Sequence, residues 1–272
     1  MCRLGQGGMG IVYLAKRLAD GAEVALKTVH PAVAVTEKEL QRFFREADIL
    51  RRLQHPRIVA FHEMGFANGL LYFTMDYVPG RSASQLLKQE GPLRIGQAVR
   101  IACEVLEALE YAHNEGFVHR DIKPANLLLS GLPSCEACQL ADFGLARAYQ
   151  SSSLSGLTIM GDVGGTIPYM PSEQITRYRE AKPPADQYAT AATLYRLLTG
   201  CYPFNFDDCP NHERLKIVLF DSPVPIRERR ADIPSSLAET IHRALRKDVS
   251  ERFADVMEMA SEMAAPATAP SS

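Results

Sequence analysis

The sequence is short of the features that would place it in a membrane or on a nucleic acid. In 272 residues no apolar run reaches the roughly 18 positions a bilayer-spanning helix needs. No signal peptide is expected at the amino terminus. Net charge is only −2, so no polyanion-binding surface is implied. The six cysteines, at 2, 103, 135, 138, 201 and 209, are scattered, and Cys103 sits inside an apolar helical pattern. They read as reduced thiols in a cytosolic setting. Cys135-x-x-Cys138 lacks a second ligand pair at zinc spacing, Cys201, Cys209 and His212 being poor candidates. It reads as a turn between two short strands. There is no internal repeat. What remains is an ordinary globular composition, 46% hydrophobic and 23% charged, long enough for two modest lobes or one large domain.

Over roughly the first 80 residues the pattern is of strands around one helix. Ile11–Ala15 and Glu23–Val29 are strand-like, with a turn at Asp20-Gly21 between them. Thr36-Glu37-Lys38-Glu39 is a capping box opening a helix to about Leu53. Leu70–Tyr77 is a further strand, closed by Pro79-Gly80. Helical spacing then dominates. From about Ile95 to Glu115, Ile95, Val99, Ala102, Cys103, Leu106 and Leu109 form a stripe. Further helices are expected near Ala185–Leu198, ending at Gly200, and at Leu237–Leu245 and Ala254–Met263. Residues 265–272 read as a low-complexity tail or linker. The expected fold class is α+β: a small β-rich lobe over about 1–77 with one main helix, and a larger α-helical lobe over about 81–264.

The chemistry concentrates in His119-Arg120-Asp121-Ile122-Lys123-Pro124-Ala125-Asn126 and Asp142-Phe143-Gly144. Phosphoryl transfer asks for little covalent help; it needs charge neutralised and an acceptor hydroxyl held in line. These segments supply a carboxylate for a hydroxyl, a cation for phosphate, and an amide and a carboxylate for magnesium. Gly5-Gln6-Gly7-Gly8-Met9-Gly10 fits G-x-G-x-x-G, which suits two folds. In a dinucleotide-binding fold a helix follows. Here Ile11-Val12-Tyr13-Leu14 follows, so strand, loop and strand make a nucleotide-covering hairpin. A ligand-free glycine hairpin is the bland alternative. Glu46 shares a helix face with Phe43 and Leu50. A carboxylate there needs a partner, and Lys27 at the end of Val24-Ala25-Leu26-Lys27 is the simplest. A surface Glu46 beside Arg42 and Arg45 is the other reading.

In order and spacing these motifs resemble the protein kinase superfamily, over about residues 3 to 263. The Gly-Gly-Met-Gly loop and the Ile-Lys-Pro-Ala-Asn form are similar to bacterial Hanks-type serine/threonine kinases. Gly165-Thr166-x-x-Tyr169 and Pro171-Ser172-Glu173 look like the end of that family's activation segment. The resemblance implies a bilobal kinase fold over 1–264, with ATP and Mg²⁺ (or Mn²⁺ in its place) as cofactors and proteins as substrates. It implies neither nucleic-acid binding nor a membrane segment in this chain. A cytoplasmic location follows, including that of a cytoplasmic domain within a longer, membrane-anchored protein.

Position by position, the resemblance implies that Asp121 orients the acceptor hydroxyl and takes its proton, and that Lys123 steadies the γ-phosphate. Asn126 and Asp142 hold the metal. Lys27, fixed by Glu46, grips the α- and β-phosphates beneath Gly5, Gly7 and Gly10. Adenine lies between Leu4, Val12 and Ala25 above and Leu128 below, with Met75 behind it and the backbone of Asp76, Tyr77 and Val78 at its edge. His119 and Phe143 pack, while Asp186, Glu173 and Arg252 anchor, with Glu173 available to Arg252. Lys123 and Thr166 imply serine/threonine specificity. Thr158, eight residues before Thr166, is the expected main autophosphorylation site, and Arg120 the partner of a phosphorylated loop residue. Three departures stand out. Only four residues precede Gly5, so the first strand is expected to be shortened; Pro-Ser-Glu replaces Ala-Pro-Glu; and Ala189-Thr190-Ala191-Ala192-Thr193 lacks a glycine. Two other readings remain: a catalytically silent kinase-like scaffold, and a small-molecule phosphotransferase.

Overall fold

The computed structural model describes residues 2–7, 10–29, 37, 41, 44, 49–131, 136–143, 165–177, 181–206 and 209–265. β1 (Cys2–Gly7), β2 (Gly10–Lys16), β3 (Glu23–Val29), β4 (Phe61–Ala67) and β5 (Leu70–Asp76) form an antiparallel sheet in the order β1-β2-β3-β5-β4. β1 has six residues and pairs along β2 from Cys2 opposite Leu14 to Gly7 opposite Gly10. Gly10 has φ +144°, and a Cβ there would sit 1.8 Å from the Thr28 carbonyl oxygen. Only glycine lets β2 lie that close to β3.

β2 and β3 are joined through Arg17–Ala22, where Arg17 pairs with Asp20 at 2.6 Å. β4 and β5 are joined by Asn68-Gly69, both with positive φ, the two-residue turn whose twist matches antiparallel strands. The sequence reading assigns no strand to 61–67. Phe-His-Glu-Met-Gly-Phe-Ala carries no β-branched residue, and pairing with β5 rather than local preference makes it a strand. Between β3 and β4, Glu37, Gln41 and Phe44 are helical, and Ile49–Arg52 closes as a 3₁₀ turn that buries Leu50. Thr36 lies outside the described residues.

A second, three-stranded sheet of β6 (Arg81–Ser82), β7 (Leu127–Ser130) and β8 (Ala137–Leu140) leads into the helical part. It is tied to the first lobe through Arg57–Val59, since Val59 N donates to the Leu140 carbonyl and Leu140 N to that of Arg57. α1 (Ala83–Glu90) starts at a capping box of Ser82 and Gln85. α2 is Ile95–Asn114, α3 Ser172–Thr176, α4 Pro184–Thr199, α5 Asn211–Phe220, α6 Ile226–Arg229, α7 Ser235–Ala244 and α8 Val256–Ala264.

α4 is the axis of this lobe. All of its residues except Pro184, Arg196 and Thr199 are buried, as in a helix enclosed on every side. Its small residues, Ala189, Ala191 and Ala192, let α2 and α7 approach. It stops at Gly200, whose left-handed φ of 72° closes the helix. On α2 the expected stripe is buried at Ala102, Leu106 and Leu109 and only partly so at Ile95, Val99 and Cys103, while the buried face extends to Ala98, Ile101, Val105, Ala108 and Ala112. α2 packs against α4, α8 and β8 at once, so its covered stripe is wide, and alanines carry too little hydrophobic signal to mark it.

Candidate active site

The segment 119–126 is held from below by Asp186, the second buried residue of α4 and fully enclosed. Its carboxylate accepts the backbone N–H of His119 and of Arg120, both at 2.8 Å, and lies 2.9 Å from His113 Nε2 on α2. Arg120 has φ +68°, unusual for a side chain of this size. The two amide bonds to Asp186, with Gln174 Nε2 donating to the Arg120 carbonyl at 2.7 Å, hold it there. Asp121 N–H donates to His119 Nδ1 (3.2 Å), so His119 Nε2 donates to the Ala141 carbonyl (3.0 Å). The His119 ring meets Phe143 edge-on at 4.5 Å, which links 119–126 to the segment after β8.

On this support the polar groups converge. Asp121 Oδ1 accepts from Lys123 Nζ at 2.9 Å and from the Thr166 hydroxyl at 3.3 Å. Thr166 Oγ1 in turn accepts from Lys123 at 2.9 Å. Asn126 Nδ2 donates to the Asp121 carbonyl (2.7 Å) and to Oδ2 (3.0 Å). Both carboxylate oxygens of Asp121 are therefore oriented, and the amide nitrogen of Asn126 is committed, leaving its amide oxygen as the free ligand face.

The residues expected on the nucleotide side come from the first sheet. Val12 pairs opposite Lys27, and Ala25 opposite Met75. Cross-strand partners share a face, as do Ala25 and Lys27 two residues apart. Val12, Ala25, Lys27 and Met75 thus line one side of the sheet. Leu4 is exposed in β1 beside Gly5 and Gly7, and Leu128 is half-buried on β7. The Asp76 side chain is engaged by His62 at 2.8 Å, and its N–H by the Ala60 carbonyl. Among the described residues, the backbone groups of Tyr77 and Val78 make no main-chain hydrogen bond.

Lys27 and Asp142 join the two halves. Lys27 Nζ donates to Asp142 Oδ2 at 2.7 Å, across 115 positions of sequence. Glu46, the partner expected for Lys27, lies outside the described residues, as do Gly144 and Thr158. Burial pushes the Asp142 carboxyl up, but the Lys27 ammonium outweighs it and holds the group below the ordinary aspartate value of 3.8. A depressed native value means that the pair stabilises the fold above pH 3.8 and that this contribution is lost as pH falls through the lower native value. In Lys27→Met the Asp142 pKa should rise, read by carboxyl-carbon NMR titration; an unchanged value would show that Lys27 is not the cause.

Asn126 and Asp142 fit a hard divalent cation. Both offer oxygen, and such an ion keeps phosphate and water oxygens as its other ligands. Among the described residues no cluster of three His, Cys, Asp or Glu could hold a metal by itself. Cys138 is buried in β8, and burial pushes its thiol well above the ordinary range. Further from the site, Arg252 is enclosed and pairs with both oxygens of Glu173 at 2.6 and 3.0 Å. It also donates to the carbonyls of Pro184 and Arg246. Three supporting residues escaped the sequence reading: His113, Gln174 and His62. None sits in a motif, and each is found only through its partner.

A family model described as "Protein kinase domain" matches residues 1–264, and the chain belongs to that family. Membership implies ATP and a divalent cation. Among its relatives, serine/threonine-protein kinase pkn3 of Myxococcus xanthus is 35% identical over 267 residues, covering 96% of this chain and 48% of that protein. Serine/threonine-protein kinase PknD of Mycobacterium tuberculosis is 38% identical over 259 residues, 94% of this chain and 38% of that protein. The chain thus spans half or less of the length of these curated relatives. The crystal structure of the M. tuberculosis PknI kinase domain is similar with a TM-score of 0.73 at 30% identity, covering 96% of this chain and 93% of that one. Among the described residues, no helix is long and apolar enough to cross a membrane.

Proposed function

We propose that this domain transfers the γ-phosphate of ATP to serine and threonine hydroxyls of proteins. The observation that carries this reading is the three-way contact of Asp121, Lys123 and Thr166. A carboxylate, an ammonium and a hydroxyl meet at one point, as needed to orient an incoming hydroxyl beside a phosphate. Asp121 accepts the hydroxyl proton on the carboxylate that Lys123 and Thr166 position. Lys123 exchanges part of its contact with Asp121 for the γ-phosphate. Lys27, on the sheet face shared by Val12, Ala25 and Met75, takes the α- and β-phosphates, while those apolar residues cover adenine. Asn126 and Asp142 would hold Mg²⁺, with Mn²⁺ as a substitute; when bound, the ion neutralises phosphate charge that the protein alone cannot. Lys27 and Asp142 meet at 2.7 Å, so neither charge is left unpaired in a partly enclosed cleft.

Incubation with labelled ATP, Mg²⁺ and a generic protein substrate, followed by hydrolysis, should release labelled phosphoserine and phosphothreonine. Nucleotide binding with no transfer would establish a silent scaffold. Label found only on small molecules would establish a metabolite phosphotransferase. Label on tyrosine alone would refute the specificity drawn from Lys123 and Thr166.

A further inference from the structure

Where the connection between α1 and α2 meets the carboxyl end of α4 and the end of α6, a cavity of about 350 Å³ opens. It plays no part in the transfer site. Pro92 gives it an exposed aliphatic edge above the buried Leu93 and Leu198, and three arginines, Arg94, Arg229 and Arg230, give it charge. Arg230 is already satisfied. Its guanidinium donates to the carbonyls of Leu93 (2.6 Å) and Leu198 (2.9 Å) and pairs with Asp232 (3.0 Å).

The other two are not neutralised. Arg94 is exposed and, among the described residues, makes no ion pair. Arg229 donates to the uncharged Asn205 amide oxygen at 2.6 Å, makes no ion pair among the described residues, and has a buried Nε without a hydrogen-bond partner. α2 also begins at Arg94 with no side-chain cap, so the positive end of a 20-residue helix adds to the field.

We propose that this cavity is a docking site for a phosphorylated serine or threonine on a protein segment. Two guanidinium groups without a carboxylate partner among the described residues, Arg94 and the Arg229 that lies 6.0 Å over the Tyr195 ring, match a phosphomonoester, which carries about −1.5 to −2 at neutral pH. Arginine's planar fork suits phosphate oxygens in particular. Exposed Pro92 is the apolar surface against which the stem of the phosphate-bearing side chain rests. Asp186, which holds the catalytic segment, lies twelve residues before Leu198 on α4, roughly 18 Å along the helix axis. The proposal rests on the reading that the domain acts on proteins, and names a substrate already phosphorylated elsewhere.

Binding of a fluorescent Gly-Ser peptide carrying one phosphoserine, against the same peptide with serine, tests it on the full chain without ATP. The phosphopeptide should bind about tenfold or more tightly, the worth of a charge-assisted contact. Arg94→Glu and Arg229→Gln should each erase that preference. Arg94→Glu should leave transfer to a short unphosphorylated peptide unchanged, because Arg94 has no side-chain partner among the described residues. Equal affinity for both peptides would overturn the proposal, as would full binding by both variants. Inorganic phosphate binding as tightly as the phosphopeptide would also overturn it, since the site would then hold only a free anion. Because no transfer is measured in the binding arm, a domain that failed to phosphorylate proteins would be distinguished from one that lacked this site.

Discussion

Asp121→Asn should lower the rate of phosphate transfer by about 10²–10⁴-fold, the usual worth of a positioned general base. The substitution keeps the shape of the side chain and can still accept from Lys123 and Thr166 at one oxygen. It turns the other position into a donor facing Asn126 Nδ2, which now donates to Asp121 Oδ2 at 3.0 Å. Two donors would then oppose each other where a proton acceptor was needed. Lys27→Met should lower transfer to a similar degree by another route. It removes the cation from the sheet face of Val12, Ala25 and Met75 and strips Asp142 of its partner at 2.7 Å. Initial rates with labelled ATP report both effects, and thermal melting separates them from unfolding. Rates within about threefold of the parent in both variants would defeat the assignment of this cleft as the transfer site.

Arg252→Met should be among the most destabilising single changes in the helical lobe, costing about 3–5 kcal/mol. The Arg252 side chain is fully enclosed while Glu173 is 27% exposed, so the two partners are not equivalent. Without Arg252, Glu173 loses both contacts and the carbonyls of Pro184 and Arg246 lose their donor. The change should lower Tm by on the order of 10 °C in a circular-dichroism melt, with ΔΔG converted through the unfolding entropy of a domain this size. Glu173→Gln should cost less, because its amide oxygen still accepts from Arg252 and water reaches it. A Tm within about 2 °C of the parent for Arg252→Met would show that the pair contributes little. Since Pro-Ser-Glu here retains the glutamate, the anchor rests on Glu173 itself rather than on the residues before it.

Much of this was legible in the sequence because the decisive groups lie close together along the chain. Asp121, Lys123 and Asn126 fall within one tight segment, and the family resemblance that this segment carries implies that they serve one cleft. β2, β3 and β5 were legible through their apolar and β-branched runs, and α4 through its closing Gly200. β4 was not, since His62, Glu63 and Gly65 have no preference for a strand until β5 supplies a partner. The buried face of α2 was legible only in part, at Ala102, Leu106 and Leu109, for a related reason: Ala98, Ala108 and Ala112, which allow close packing, look neutral in a hydrophobic pattern.

By itself, then, the sequence determined which functional groups the molecule has and which local elements carry them. Residue type and short-range periodicity act over a few positions, and both are written in the chain. Only the tertiary structure decided which distant groups meet. It brought Thr166 to Asp121 across 45 positions, Lys27 to Asp142 across 115, and His113, Gln174 and the amides of His119 and Arg120 to their partners around Asp186. It also gathered Arg94, Arg229 and Arg230 around one cavity. Contacts of that range arise from burying whole faces of helices and sheet against one another, a balance set by the entire core and not by any stretch of residues within it.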